Sequence, residues 1–230
     1  MKRAINFIAL VLLVSCASGP PANQHGLQVV PDLAAYERLA TLEPQKRLLD
    51  LSLFNIPLDI RYATENNFMK KPLYPVAKAY LRVPAARALL DAYNELYLRG
   101  LGLKVYDAYR PYRVTVAMWE PIRNPDFVAD PAKGSRHNRG AAVDVTLIDR
   151  RTGAELPMPT EYDDFTPRAA HDFMDLPSEA IANRTMLRDV MMKHGFEPLP
   201  SEWWHYDFRG WEQFELMDVG LEELSGATGP

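Results

Sequence analysis

The segment Ala-Ala-Val-Asp-Val-Thr-Leu-Ile at positions 141–148 constrains the fold more than any other. It is the clearest strand in the chain. Val143, Val145 and Leu147 form one face at a period of two, and Ala142, Asp144 and Thr146 form the other. A carboxylate in mid-strand needs a partner, because burying an unpaired charge is costly. The fold must supply one at Asp144.

Around this strand the sequence reads as alternating helices, strands and polar loops. Pro84 opens a helix in which Ala85, Leu89, Ala92, Tyr93 and Leu96 recur at spacings of three and four, and Gly100 is a fitting stop. Residues 101–106 read as a strand, ended at Arg110-Pro111, where proline suits a helix start over 112–120. Helices are also expected within 31–50 and over 178–193, the latter closed by His194-Gly195. A last strand is expected over 203–208. Residues 121–136, with three prolines, and 150–178, rich in Pro, Asp and Glu, read as long loops, and 60–68 reads as turn-like. The elements alternate irregularly and no repeat appears. The expectation is an α+β fold: a single domain over 31–220 with a small mixed or antiparallel sheet flanked by helices, followed by a loose tail, 221–230.

A length of 230 residues suits one domain, and 47% hydrophobic content allows a sizeable core. A net charge of −4, with Lys and Arg dispersed, excludes the basic surface expected for a nucleic-acid partner. The one cysteine, Cys16, ends a basic and apolar leader, MKRAINFIALVLLVSC, too short to span a bilayer as a stable helix. Small residues before Cys16 resemble a bacterial lipobox, in which the cysteine becomes the lipidated first residue. An ordinary secretory signal with an incidental cysteine is the alternative. The lipobox reading makes 1–15 a signal peptide and 16–30 a lipidated cysteine with a flexible tether, rich in Pro, Gly and Ser. It anchors the chain to the cell envelope facing the periplasm, and Ala17 points to the outer membrane. With Cys16 consumed, neither disulfides nor thiol catalysis remain. His25, in the tether, is expected to be solvated.

Two short stretches carry chemistry. In Ser135-Arg136-His137-Asn138-Arg139-Gly140-Ala141-Ala142-Val143-Asp144, a histidine in a polar loop leads into the strand that bears the carboxylate. Gly140 and Ala142 leave room beside Asp144 for a substrate. In Ser201-Glu202-Trp203-Trp204-His205-Tyr206-Asp207, His205 falls on the strand face opposite Trp204, Tyr206 and Phe208. Two histidines and one carboxylate, with a fourth position left for water, make a catalytic zinc set. Glu202, three residues before His205, is placed to act as a general base. Taken singly, His137 reads equally well as a solvated loop histidine, His205 as a satisfied core histidine, and Asp144 as half of a salt bridge.

The pattern of Ser135, His137, Gly140, Ala142 and Asp144 resembles the zinc D-Ala-D-Ala peptidases, and Glu202-Trp203-Trp204-His205 resembles the second half of their site. Within that group the chain is similar to VanX-type D-alanyl-D-alanine dipeptidases. The similarity extends to Tyr62-Ala63-Thr64-Glu65-Asn66-Asn67-Phe68, to Asp107-Ala108-Tyr109-Arg110-Pro111, and to the doubled tryptophan. It spans roughly residues 50–210. It implies one zinc ion at His137, Asp144 and His205, and Glu202 as catalytic base. It also implies Arg110 as the cation that stabilises the developing oxyanion, with Tyr62, Asp107 and Ser135 lining a small substrate pocket. Asp107 can instead only orient Arg110, and Ser135 can simply cap a turn.

The substrate so implied is D-Ala-D-Ala or a related small D-amino-acid peptide. An exported enzyme of this kind would serve peptidoglycan turnover or D-alanine salvage. The rivals are a D,D- or L,D-carboxypeptidase trimming peptidoglycan stems, which shares the metal set, and a non-catalytic cell-wall-binding lipoprotein, which has no need of a base. Elsewhere, His171 reads as a surface histidine and His194 as a helix C-terminal cation. Trp203 and Trp204 read as packing first, and Asp163-Asp164 and Glu222-Glu223 as solvated charge. The loops at 121–136 and 150–178 carry no matched motif but could cap the pocket.

Overall fold

The computed structural model describes residues 22–227 except Gln24 and Asp126. The leader and Cys16, with the anchoring read from them, lie outside the described residues. Strand β1 (Val29–Val30) is buried and pairs in parallel with a late strand, so the folded domain begins inside the stretch expected to be tether. Helix α1 (Leu33–Leu42) is capped by Asp32, whose side chain accepts the Ala35 amide at 2.8 Å. This is the short helix expected within 31–50, and the rest of that stretch is spent on a 3₁₀ turn and on strand β2 (Leu48–Asp50), which pairs antiparallel with β3 (Tyr80–Arg82).

Helix α2 (Val83–Leu98) buries Ala85, Ala86, Leu89, Ala92 and Leu96, the stripe legible in the sequence. Each fully buried leucine there contributes about 1.5–3 kcal/mol relative to exposure. Strand β4 (Leu101–Asp107), helix α3 (Tyr112–Ile122) and strand β5 (Ala142–Asp149) follow, then helix α4 (Ser178–Lys193) and strands β6 (Phe196–Pro198), β7 (His205–Phe208) and β8 (Leu216–Met217). The main sheet runs β4-β5-β7-β6 with every pair antiparallel, while β8 is the parallel partner of β1. Helices α2 and α4 contact each other, with α2 on β4 and α4 on β6. Val143, Val145 and Leu147 join their leucines in the main core. This is the expected α+β domain.

Residues Leu221–Ala227 form helix α5, with Leu221 and Leu224 buried, where the sequence reads as loose. Those two apolar side chains, three apart, are the signal that short length concealed.

Register places the site. Asp144 on β5 pairs with His205 on β7. On the other side, β4 pairs regularly up to Val105 with Val145 and then shifts, so that Asp107 rather than Tyr106 stands opposite Asp144. Opposed residues share a face, so this bulge brings Asp107 to the side of the sheet that carries Asp144 and His205.

Candidate active site

Each of the three candidate ligands is held by one polar atom and presents another. His137 lies in a 3₁₀ turn (His137–Arg139), and its Nδ1 is 2.6 Å from the Ala108 carbonyl. A carbonyl only accepts, so Nδ1 carries the proton and Nε2 keeps its lone pair. His205 Nε2 is 3.0 Å from Asp207 Oδ1, which by the same logic leaves Nδ1 as its ligand atom. Asp144 Oδ2 accepts from the Tyr162 hydroxyl at 2.8 Å, leaving Oδ1. The three remaining atoms converge: Nε2 to Nδ1 is 3.1 Å, Nδ1 to Oδ1 3.0 Å, and Nε2 to Oδ1 3.4 Å. A tetrahedral ion with arms of about 2.0–2.1 Å needs ligand atoms about 3.3 Å apart. The donor set and its spacing fit one zinc ion. All three residues are buried.

The electrostatics agree with a cation site. Burial would raise the Asp144 carboxyl, but His137 and His205 overcome it and hold the group below the usual carboxylate range. Burial would lower the His205 imidazole, yet Asp207 and Asp144 hold it well above its ordinary value. Without a metal, the cluster therefore keeps a proton among these side chains. Metal binding would displace it.

Gly140 has a different task from the one expected. It closes the His137 turn at φ +66°, and a Cβ there would come within 2.6 Å of the Leu48 side chain. The glycine serves the turn and its packing on Leu48 and Arg82, not substrate space. Asn138, fully buried, holds the same turn by donating to the Arg110 carbonyl at 2.9 Å and to Thr115 Oγ1 at 2.8 Å.

The cluster opens into a pocket of about 320 Å³ that also includes Tyr62, Arg110, Ser135 and Glu202. Arg110 donates through Nε and Nη2 to Asp107 Oδ2, at 3.0 and 2.8 Å, and its guanidinium lies 5.0 Å from the Tyr62 ring centre. Tyr74 donates to the other Asp107 oxygen at 2.8 Å. Asp107 is thus the orienter of Arg110. Ser135 Oγ accepts the His137 amide at 3.2 Å, the turn-capping role open to it, while still lining the pocket. Burial pushes the Glu202 carboxyl up to about 7, with Asp144 and Asp163 reinforcing and His205 and Arg110 opposing.

Asp163 corrects its reading as solvated charge. It lines the pocket, accepting from the Tyr62 hydroxyl at 3.0 Å and the Phe68 amide at 3.3 Å. Burial pushes its carboxyl up to about 7. His171 is a second correction: both ring nitrogens are buried, and burial pushes the imidazole down to about 4. His194 keeps its expected place at the end of α4, with Nε2 2.7 Å from Glu95. Trp203 and Trp204 are buried edge to face, and Trp204 also reaches the pocket.

Tyr162, Asp163, Asp207 and Asn138 were not singled out from sequence as site residues. Asp207 had a signal, since it is two positions beyond His205 on one strand face. Tyr162 and Asp163 come from a loop with no periodicity. That loop and the 121–136 loop meet in the lining of the pocket, where Phe165 stacks on Phe127 at 5.0 Å and touches Phe68 edge-on at 5.3 Å.

Two histidines and an aspartate converging on one side of a small pocket form a set that could hold a metal ion. A family model described as D-ala-D-ala dipeptidase (Peptidase_M15) matches residues 47–215. The chain is 34% identical over 172 residues to the D-alanyl-D-alanine dipeptidase of Escherichia coli K12, covering 74% of this chain and 89% of that one. It is 32% identical over 181 residues to the D-alanyl-D-alanine dipeptidase of Enterococcus faecium, covering 70% and 90%. Among solved structures it is similar to VanYB in complex with D-Alanine-D-Alanine, with a TM-score of 0.38 and 16% identity over 66% of this chain and 85% of that one. The chain belongs to the D-Ala-D-Ala dipeptidase family.

Proposed function

We propose that this protein hydrolyses free D-Ala-D-Ala to D-alanine, using one zinc ion held by His137, Asp144 and His205. The observation that carries the reading is the convergence of three lone-pair atoms, each fixed by a partner on its far side, beside Glu202 and Arg110 in one small pocket. Zinc there would acidify a bound water and polarise the scissile carbonyl. Glu202 takes the proton of the attacking water and passes it to the leaving amine. A carboxyl held near neutrality by burial is suited to both halves of that transfer. Arg110, locked by Asp107, presents a fixed cation to the charge developing on the carbonyl oxygen. A free dipeptide also carries an ammonium, and Asp163 beside Tyr62 is an acceptor of the matching charge.

A pocket of about 320 Å³ with Phe127 and Phe165 stacked in its lining has room for a free dipeptide. We also propose that the chain is exported and lipid-anchored through Cys16, on the strength of its leader. A mass measurement of the mature amino terminus tests this. The activity is tested by metal analysis combined with D-alanine release from D,D-, L,D- and L,L-dipeptides. Cleavage confined to D,D substrates with one zinc per chain is expected. Equal cleavage of L,L-dipeptides would overturn the substrate.

A further inference from the structure

Helix α4 buries a guanidinium that has no carboxylate at ion-pair distance among the described residues. Arg184 is 2% exposed, and its Nη1 donates to the carbonyls of Ala170 and Phe173, both at 2.8 Å. A buried charge is expensive unless its donors are used, and here they are used to fix one loop to one helix. That loop makes a bond of its own: the His171 amide donates to the Pro200 carbonyl at 2.9 Å. Pro200 lies two residues before Glu202, in a turn closed on itself by Glu202 N to Leu199 O at 3.1 Å, Leu199 N to His205 O at 3.1 Å and His205 N to Glu202 O at 3.4 Å. The His171 imidazole stands edge-on to Tyr206, ring centres 6.0 Å apart, with the Glu202 backbone beside it. Its ring nitrogens have no side-chain partner.

We propose that Arg184, the 170–173 loop and His171 form a strut that positions Glu202 from behind, and that His171 and Arg184 are positioning residues for the reaction. The proposal rests on Glu202 being the base. Neither residue lines the pocket. A carboxylate at the end of a short turn is only as well placed as the turn, and a misplacement of about 1 Å can cost about 100-fold in rate. The turn is tied to the sheet by the Val145 amide donating to the Trp204 carbonyl at 3.0 Å, and the strut supplies a second brace.

The test uses the full zinc-loaded chain with Arg184→Met and His171→Ala, measuring kcat, KM, zinc content and Tm, with Glu202→Gln measured alongside. Both variants are expected to lower kcat about tenfold or more, with KM within about twofold and one zinc retained. Wild-type kcat in both folded variants would overturn the strut, as would a loss confined to KM or zinc content. If Arg184→Met does not fold, His171→Pro, which removes the amide donor to Pro200 and follows an already extended Ala170, decides by the same criteria. A fully active Glu202→Gln would instead remove the base on which the strut depends, an outcome separable from failure of the strut itself.

Discussion

Asp144 Oδ1 and His205 Nδ1 face each other at 3.0 Å across adjacent antiparallel strands, and each residue has its other polar atom held by a neighbour. Tyr162 holds the carboxylate and Asp207 holds the imidazole. Such outer partners orient ligands and are worth about 10–100-fold in metal affinity or activity. Asp207→Asn and Tyr162→Phe should each weaken zinc binding by about that factor, measured by competition with a chelator, while leaving the far-UV spectrum unchanged.

Glu202→Gln should reduce kcat by about 10²–10⁴-fold with zinc content intact. The wild-type acid limb has a definite sign. The base works deprotonated, so rate rises with pH through its pKa. Burial sets that pKa at about 7 in the metal-free chain, and a nearby cation favours the charged form. The acid limb of the kcat profile should therefore fall below pH 7 in the zinc enzyme and be absent from Glu202→Gln.

Arg110 and Asp107 are a buried pair with two hydrogen bonds between them. Removing one partner leaves the other charge unpaired, at about 3–5 kcal/mol. Arg110→Ala should lower stability by about that much in urea unfolding of the metal-free chain. It should also lower kcat by about 10²–10³-fold, as loss of an oxyanion donor does.

Asp163 makes the pH dependence of stability testable. Its carboxyl is raised from 3.8 unfolded to about 7 folded, so folding favours its protonated form. That contribution is fully present below about pH 4 and is lost as pH rises through about 7. Asp163→Asn should remove it. The Tm of the metal-free variant should gain on that of wild type as pH rises from about 4 to about 7.

Much of this was legible in the chain because it rests on local pattern. The α2 stripe, the β5 alternation and the proline-bounded start of α3 needed only periodicity and backbone sterics. The candidate ligands His137, Asp144 and His205 stand out as polar groups at or beside apolar strand positions. What escaped depends on contacts between distant segments. The bulge that turns Asp107 toward Asp144 is a property of strand pairing, and no single strand shows it. Asp163 and Tyr162 enter the pocket through a loop, where charge alone cannot separate solvent from site. Gly140 looked like space and proved to be a left-handed turn against Leu48. Arg184, on a charged helix, gave no sign of being buried.

Hydrolysis of D-Ala-D-Ala by the purified, zinc-loaded chain, compared with a muropeptide pentapeptide under the same conditions, is the most direct test of the assignment. Release of two D-alanines per dipeptide, abolished by chelation and restored by zinc, with little trimming of the pentapeptide, is the predicted result. Trimming of the pentapeptide with the dipeptide left intact would contradict it.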